Sequence, residues 1–449
     1  MTKAFQTAYI PFAVGTFHME SARRLFNESV ELLKQTEENT IVPEDLILST
    51  DALEAYLDTV DPDLLVIQNL TFANGQYASE VMHRFKDVPV LLWTLREPVI
   101  DGTRLRLNAL TGAYSAANAI RAFKKEPFEF VYGSPDEEAV IAKIHQTVHA
   151  ARIRYEMKTL RTASIGHTPQ GFGFGRPLDL DLLEKFGVHH EAIEARELID
   201  LAKSYTDEEC EAWLKDAMDR TVGLQNTPER NRLDFARLYK AYDTWTKEHH
   251  IGALASCCWP DFFTSFGTPV CAVLAMLNDL GVTAACEADL YGAVSMWIAQ
   301  RLSQEAVFFG DPVSLNEKEN TITFWHCGTA ACSLAREDTG AVIGEHCNRH
   351  IGPTMEFGCR ESGHAVIFRI GRNPDGTFRF LIVRGKALDR PKQFYGTSVV
   401  IETEGCAETV IHETVEAGWE PHYAVAFADI AEELKILAHM FNCEVTEYK

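Results

Sequence analysis

Short apolar runs of strand length alternate with stretches of helical spacing over the first 150 or so residues, and few architectures satisfy that pattern. "TAYIPFAV" (7–14), "LLVIQNL" (64–70) and "VPVLLWTL" (88–95) are too short for buried helices. "MESARRLFNESVELLKQT" (19–36) and "EAVIAKIHQTVHAARIRYEMKTL" (138–160) place apolar residues three and four apart. Strands alternating with helices predict a parallel sheet covered by helices, with ligand groups just beyond the carboxyl ends of the strands. His18, after the first strand, and the stretch from Trp93 to Pro98 occupy such places.

The pattern restarts near Thr162. "ASIGHTPQGFGF" supplies a strand and a glycine-rich turn, and "DEECEAWLKDAMDRTVGL" (207–224) and "LDFARLYKAYDTWTKEHH" (233–250) read as helices. "IGALASCCW" (251–259) reads as a buried strand leading to a helix over 268–281. From about residue 303 short β-rich runs take over, with "NPDGT" (373–377) as a hairpin turn, and an amphipathic helix over 429–441 comes last. A chain of 449 residues exceeds a single core. The expected architecture is α/β: two Rossmann-like domains, 1–160 and 161–302, followed by a mostly β, barrel-like domain, 303–449.

A formal charge of −23 argues against nucleic acid and anionic membranes as partners and leaves small molecules and divalent cations open. No apolar run approaches the ~20 residues of a membrane span, and the N-terminus lacks a basic region followed by a long apolar one, so a cytoplasmic location is expected. Eleven cysteines, an odd number that includes the adjacent Cys257 and Cys258, read as reduced thiols packed as small hydrophobes. The GFGFG run at 171–175 departs from the dinucleotide fingerprint and is followed by Arg176-Pro177, so no nucleotide is expected.

The stretch "TAACEADLYGAV" (283–294) sets Glu287 and Asp289 among small and apolar residues. A buried carboxylate needs a partner. Asp311, in "AVFFGDPVSL", is a second candidate acid; with a neutral imidazole, acids from adjoining domains would hold a divalent cation. Taken alone, Asp311 reads better as the start of a turn before Pro312. Among sixteen histidines, His326 and His422 sit at the edges of apolar strands, where a hydrogen-bonded structural role is the commoner one.

"LLWTLREPVIDGTRLRLNALTGAYSAANAI", "CEADLYGAV", "FFGDP" and "HYAVAFADIAEEL", in that order, resemble the L-fucose isomerase and L-arabinose isomerase superfamily of aldose–ketose isomerases over nearly the whole chain. The chain looks shorter than a typical fucose isomerase. The resemblance implies a manganese-type cation, with Mg²⁺ or Co²⁺ as substitutes, bound by Glu287, Asp311 and His422. It also implies that both acids shuttle the proton between C1 and C2 of a free sugar through a cis-enediol. Asp289 would then cap a helix or support the ligands.

His326 falls near a further metal histidine of the arabinose branch, and His18 matches a substrate-touching loop. Family oligomers, often hexamers, complete each site with a neighbour's first domain, so His18, Arg104 and Arg106 are candidates to act on a neighbouring copy. For the two arginines, pairing with surface acids is the slightly better reading. Trp259 is favoured as a stacking wall for the sugar, and Trp93 is a second candidate; core packing is the plain alternative for both. Substrates of the superfamily include L-fucose, L-arabinose, related deoxy sugars and the sulfonated sugar sulfoquinovose. A sulfonate would call for a cationic or amide donor, with Arg104, Arg176 and Arg349 as candidates, and nothing in the sequence selects among them. The competing classes are a sugar-binding or regulatory protein on the same fold and a metal-dependent hydrolase or aldolase.

Overall fold

The computed structural model describes residues 3–449, which form two compact units. One runs to Glu156 and regains Glu432–Asn442; the other holds Met157–Ala431 and Cys443–Lys449.

In the first unit, β1 (Thr7–Phe12), β2 (Thr40–Ile41), β3 (Leu64–Asn69), β4 (Val90–Thr94) and β5 (Glu129–Tyr132) make a parallel sheet in the order β2-β1-β3-β4-β5. Successive side chains of β1 enter opposite cores: Tyr9 joins Leu25 and Leu33 on one face, while Ala8, Ile10 and Phe12 join Leu53 and Val81 on the other. A sheet buried on both faces explains why its strands read as unbroken apolar runs rather than alternating ones. The helix Ala431–Met440, from near the end of the chain, belongs to this unit: Met440 packs on the first core and His439 Nδ1 lies 2.8 Å from Glu129 Oε1.

The second unit starts with another parallel sheet, β6 (Arg161–Ile165), β7 (His189–Ile193), β8 (Ile251–Ser256) and β9 (Thr283–Cys286), ordered β7-β6-β8-β9. Its β-rich part comprises β10 (Phe308–Asn316), β11 (Thr321–His326), a small ribbon of β12 (Ile343–Gly344) and β13 (Thr354–Met355), then β14 (Ser362–Arg372), β15 (Phe378–Ala387), β16 (Thr397–Thr403), β17 (Tyr423–Ala426) and β18 (Glu444–Tyr448). Six strands close a ring, β14-β17-β10-β11-β16-β15 and back to β14, all antiparallel, and β18 adds to β15 in parallel. Closure leaves no exposed sheet edge within the ring. The NPDGT turn joins β14 to β15, the strongest hairpin signal of the sequence.

Strand register decides which residues meet at one end of this ring. Gly310 of β10 pairs with Tyr423 of β17, so Asp311 comes level with His422, the residue just before β17. Asp311 also pairs with Trp325 of β11, next to His326. An aspartate and two histidines distant in sequence are thereby gathered together.

Candidate active site

Strand β9 ends at Cys286, and the chain turns through Glu287 and Ala288 with φ of 58° and 53° before Asp289 starts the helix Leu290–Ser303. Two consecutive non-glycine residues in the left-handed region cost of order 1–3 kcal/mol each and persist only where the surroundings over-determine them. Here the turn is fixed at both ends. Ala288 N–H donates to the Ser256 carbonyl of β8, and Asp289 Oδ1 accepts from Gly292 N–H at 3.0 Å as the helix cap. The strain aims the Glu287 and Asp289 carboxylates at the same imidazole.

That imidazole is His422. Its Nδ1 lies 2.8 Å from Asp289 Oδ2, while its Nε2 lies 3.0 Å from Glu287 Oε2 and 3.3 Å from Asp311 Oδ1. Asp289 is fully buried and gripped by Arg369 of β14, also fully buried, through 2.6 and 3.0 Å hydrogen bonds. Burial alone would raise the Asp289 carboxyl; Arg369 and His422 hold it far below the usual range. A permanently ionised Asp289 accepts the Nδ1 proton, which directs the Nε2 lone pair of a neutral ring at Glu287 and Asp311. Gly292 has no room to be anything else: a Cβ there would lie 2.6 Å from the Phe309 ring and 2.9 Å from Arg369.

The two acids are tuned apart. Burial would raise Glu287, but the hydrogen bond with His422 and the charges of His326 and His422 hold it below its ordinary value. Asp311 is raised by burial, with Glu287 adding to it over the pull of the two imidazoles. Both side chains keep partial exposure, 22% and 28%, so a small ligand reaches them. Burial opposes charge on His422, yet its bonds to Asp289 and Glu287 raise it to about 9.

His326 completes the group: one ring nitrogen lies within 4.8 Å of ligand atoms of both Glu287 and His422. Burial would lower its pKa, but Cys327, Asp311 and Glu287 raise it to about 10. Its Nδ1 lies 3.3 Å from Cys327 Sγ, and Cys327 sits 4.0 Å from Cys271 Sγ in a buried thiol cluster that includes Cys286. All eleven cysteines are free thiols.

The donor set suits a divalent cation. Two carboxylate oxygens converge on one ring nitrogen, which can give a proton to only one of them, whereas a cation would satisfy both acids and the lone pair at once. Carboxylate oxygens with one or two imidazoles match Mn²⁺, Mg²⁺ or Co²⁺, and Asp289 behind His422 is the carboxylate–histidine support that metal-ligating imidazoles ordinarily have.

Aromatic rings wall the site. Phe309 lies 4.9 Å from His422 between ring centroids, and Phe174 and Phe172, on the turn after β6, lie 5.4 and 6.3 Å away. The turn packs so closely that a Cβ on Gly175 would come within 2.8 Å of the Asp289 backbone. The GFGFG run therefore does what a glycine-rich loop does, bringing backbone close, and its two phenylalanines cover the imidazole.

The structure brings together Glu287, Asp311, His422 and His326. Trp259, half-buried after β8, belongs to the same unit, with the Arg349 guanidinium 5.9 Å from its ring. Trp93 is a correction: it is 0% exposed in the first unit's core and its Nε1–H donates to the Gly133 carbonyl, so neither ring face is free to stack on a sugar. His18 and Arg104 also belong to the first unit. His18 caps the helix Met19–Thr36 by accepting from Ser21 N–H, and Arg104 donates to the Thr16 carbonyl. Arg106 pairs with Asp101 at 3.4 Å, as read from sequence.

Sequence reasoning missed Arg369, Phe172 and Phe174. Asp289 was the signal for Arg369, since a carboxylate among apolar residues requires a cation, but nothing local shows that the cation lies 80 residues on.

Glu287, at the carboxyl end of parallel strand β9, and Asp311, within antiparallel β10, are carboxylates of opposed proton affinity beside buried imidazoles, an arrangement suited to moving protons. No family model matches the chain. It is 57% identical over 445 residues to a sulfoquinovose isomerase of Clostridium sp. (strain MSTE9), covering 99% of each chain. It is 38% identical over 444 residues to one of Alkalicoccus urumqiensis and 34% over 448 residues to one of Priestia megaterium (strain ATCC 12872 / QMB1551), covering 98% of each chain in both comparisons. The chain belongs to the sulfoquinovose isomerase family and is an isomerase.

Proposed function

We propose that this chain interconverts sulfoquinovose, a six-carbon aldose bearing a sulfonate on C6, and the corresponding 2-ketose. The observation that carries the chemistry is the convergence of Glu287 and Asp311 on His422 Nε2, with Nδ1 held by Asp289. Glu287, Asp311 and His422, with His326 beside them, would hold a divalent cation, Mn²⁺ ahead of Mg²⁺ or Co²⁺. When bound, it supplies stabilisation of the negative charge that develops on the sugar's O1 and O2 as the carbon proton leaves.

The residues do the rest. Glu287, kept ionised, takes the proton from C2 of the aldose, the O2 proton passes to O1, and Asp311, the acid that holds a proton more readily, gives one to C1 of the cis-enediol; proton exchange with solvent then restores both acids, and the reverse direction exchanges the roles. Asp289 and Arg369 keep His422 oriented, and Phe172, Phe174 and Phe309 keep bulk water from the reacting face. Trp259 offers a stacking wall for the sugar.

Membership of the wider fucose and arabinose isomerase superfamily, with two Rossmann-like domains before the barrel, is part of the same reading. So are a cytoplasmic location, a homo-oligomer of hexameric type whose first units complete neighbouring sites through His18 and Arg104, and the absence of a nucleotide cofactor. Among the described residues no helix is long and apolar enough to cross a membrane.

Incubating the protein with Mn²⁺ and sulfoquinovose in D₂O, followed by NMR, tests the reaction: the sulfonated ketose forms and deuterium enters C2 of recovered aldose. Chelation stops both and Mn²⁺ restores them. Glu287→Gln and Asp311→Asn each lower exchange by roughly 10²-fold or more, with unchanged circular dichroism. Full exchange in either variant refutes its acid–base role.

A further inference from the structure

Nothing in the proton-transfer site reads the feature that sets this substrate apart, the sulfonate at the end of the sugar remote from the reacting carbons. Most cations of the second unit are committed to carboxylates. Arg369 is buried on Asp289, Arg372 donates to Asp181 at 2.8 Å, Arg220 pairs with Asp279 at 2.6 Å, and Lys392 pairs with Glu356. Arg176 and Arg349 are both exposed, and no carboxylate among the described residues lies within ion-pair reach of either. What sets Arg349 apart is its guanidinium, 4.7 Å from the Phe263 ring centroid and 5.9 Å from that of Trp259.

Both supports lead to the site. Trp259 follows β8, whose last residue, Ser256, accepts from Ala288 N–H beside Glu287. Arg349 N–H donates to the His346 carbonyl at 3.1 Å. The buried His346 ring packs edge-on against Phe263 and shares a cluster with Cys327, which touches His326. The neighbouring residues Cys347 and Asn348 line a cavity of about 740 Å³ together with Val313, Trp325 and Lys392, and Trp325 pairs with Asp311 across β10 and β11.

We propose that Arg349 is the sulfonate-recognising residue of this enzyme. A guanidinium stacked on rings is held in one plane with its N–H edge free, and that planar edge matches two oxygens of a sulfonate as it does those of a phosphate. Ordering the group in advance on Trp259 and Phe263 lowers the entropy cost of binding. The side chain sets specificity and takes no part in proton transfer. The assignment rests on the sulfoquinovose reading above.

The test compares kcat/KM for sulfoquinovose and for 6-deoxyglucose, its counterpart without the sulfonate, at saturating Mn²⁺ in wild type, R349A, R349K and R176A. Loss of charge-assisted hydrogen bonds in R349A lowers kcat/KM for the sulfonated sugar about 10- to 100-fold. R349K recovers part of it, R176A matches wild type, and 6-deoxyglucose turnover stays within about twofold throughout. A sulfonated sugar alcohol, which cannot isomerise, serves as an inhibitor whose Ki rises in parallel, giving a readout independent of turnover. Equal losses on both sugars, no loss on either, or selectivity that moves with Arg176 overturn the assignment. Wild type that fails to turn over sulfoquinovose refutes the substrate reading itself; normal wild-type turnover with unaltered selectivity in R349A refutes only the role of Arg349.

Discussion

His422 carries two opposite demands on one ring. Against burial, bonds to Asp289 and Glu287, with the Asp289 and Asp311 charges, raise its pKa to about 9; as a ligand of the proposed cation it would have to give up the Nε2 proton. A folded pKa above the unfolded one makes protonation stabilising. The contribution of His422 to stability of the cation-free protein is full below about pH 6.5, the unfolded value, and disappears as pH climbs through about 9. The same proton competes with the cation. Apparent Mn²⁺ affinity should therefore fall about tenfold for each pH unit below that value, and calorimetry in buffers of different ionisation enthalpy should find at least one proton released per ion bound. Affinity independent of pH between about 6 and 8, with no proton release, would mean that the ion does not displace the His422 proton.

At the scale of elements, the sequence reading and the structure agree where periodicity is local. The helix expected over 19–36 is Met19–Thr36, the strand expected at 64–70 is Leu64–Asn69, and the NPDGT turn joins a hairpin. Glu287, Asp311 and His422 are assembled from a resemblance, not from spacing, because the meeting of Asp311 with His422 depends on which strands of the barrel are neighbours, and Glu287 joins them from the turn after β9 in the other sheet. Ring closure through β14 and β15, the β17 register that levels Asp311 with His422, and the return of Ala431–Met440 to the first unit are set by pairings across many tens of residues. The Asp289–Arg369 pair is the same kind of fact, tying the helix Leu290–Ser303 to β14. Arg369→Met would strip the buried Asp289 carboxylate of its cation and leave it only His422 Nδ1 and Gly292 N–H, a change that costs up to about 3–5 kcal/mol. Urea unfolding should show that loss, and Mn²⁺ affinity should weaken with it as His422 loses its fixed orientation. Stability within about 0.5 kcal/mol of wild type, the range of a typical surface substitution, would mean that the pair is not a structural tie.

For the whole molecule, the charge of −23 and the proposed anionic substrate pull against each other. A sulfonated sugar approaches through a repulsive field that a neutral sugar does not feel. That field is long-ranged and therefore salt-sensitive: the Debye length falls from ~30 Å at 0.01 M to ~10 Å at 0.1 M ionic strength. For a chain of this mass and charge, the difference in work for a monoanion is on the order of 1 kcal/mol, roughly fivefold in occupancy. A contact-range guanidinium–sulfonate bond is screened far less over the same interval. With Mn²⁺ kept saturating, kcat/KM for sulfoquinovose should therefore rise severalfold between those ionic strengths, while that for 6-deoxyglucose stays flat. A fall for sulfoquinovose would show that attraction at the site reaches beyond the protein's own repulsion, and that local cations rather than net charge govern how the substrate arrives.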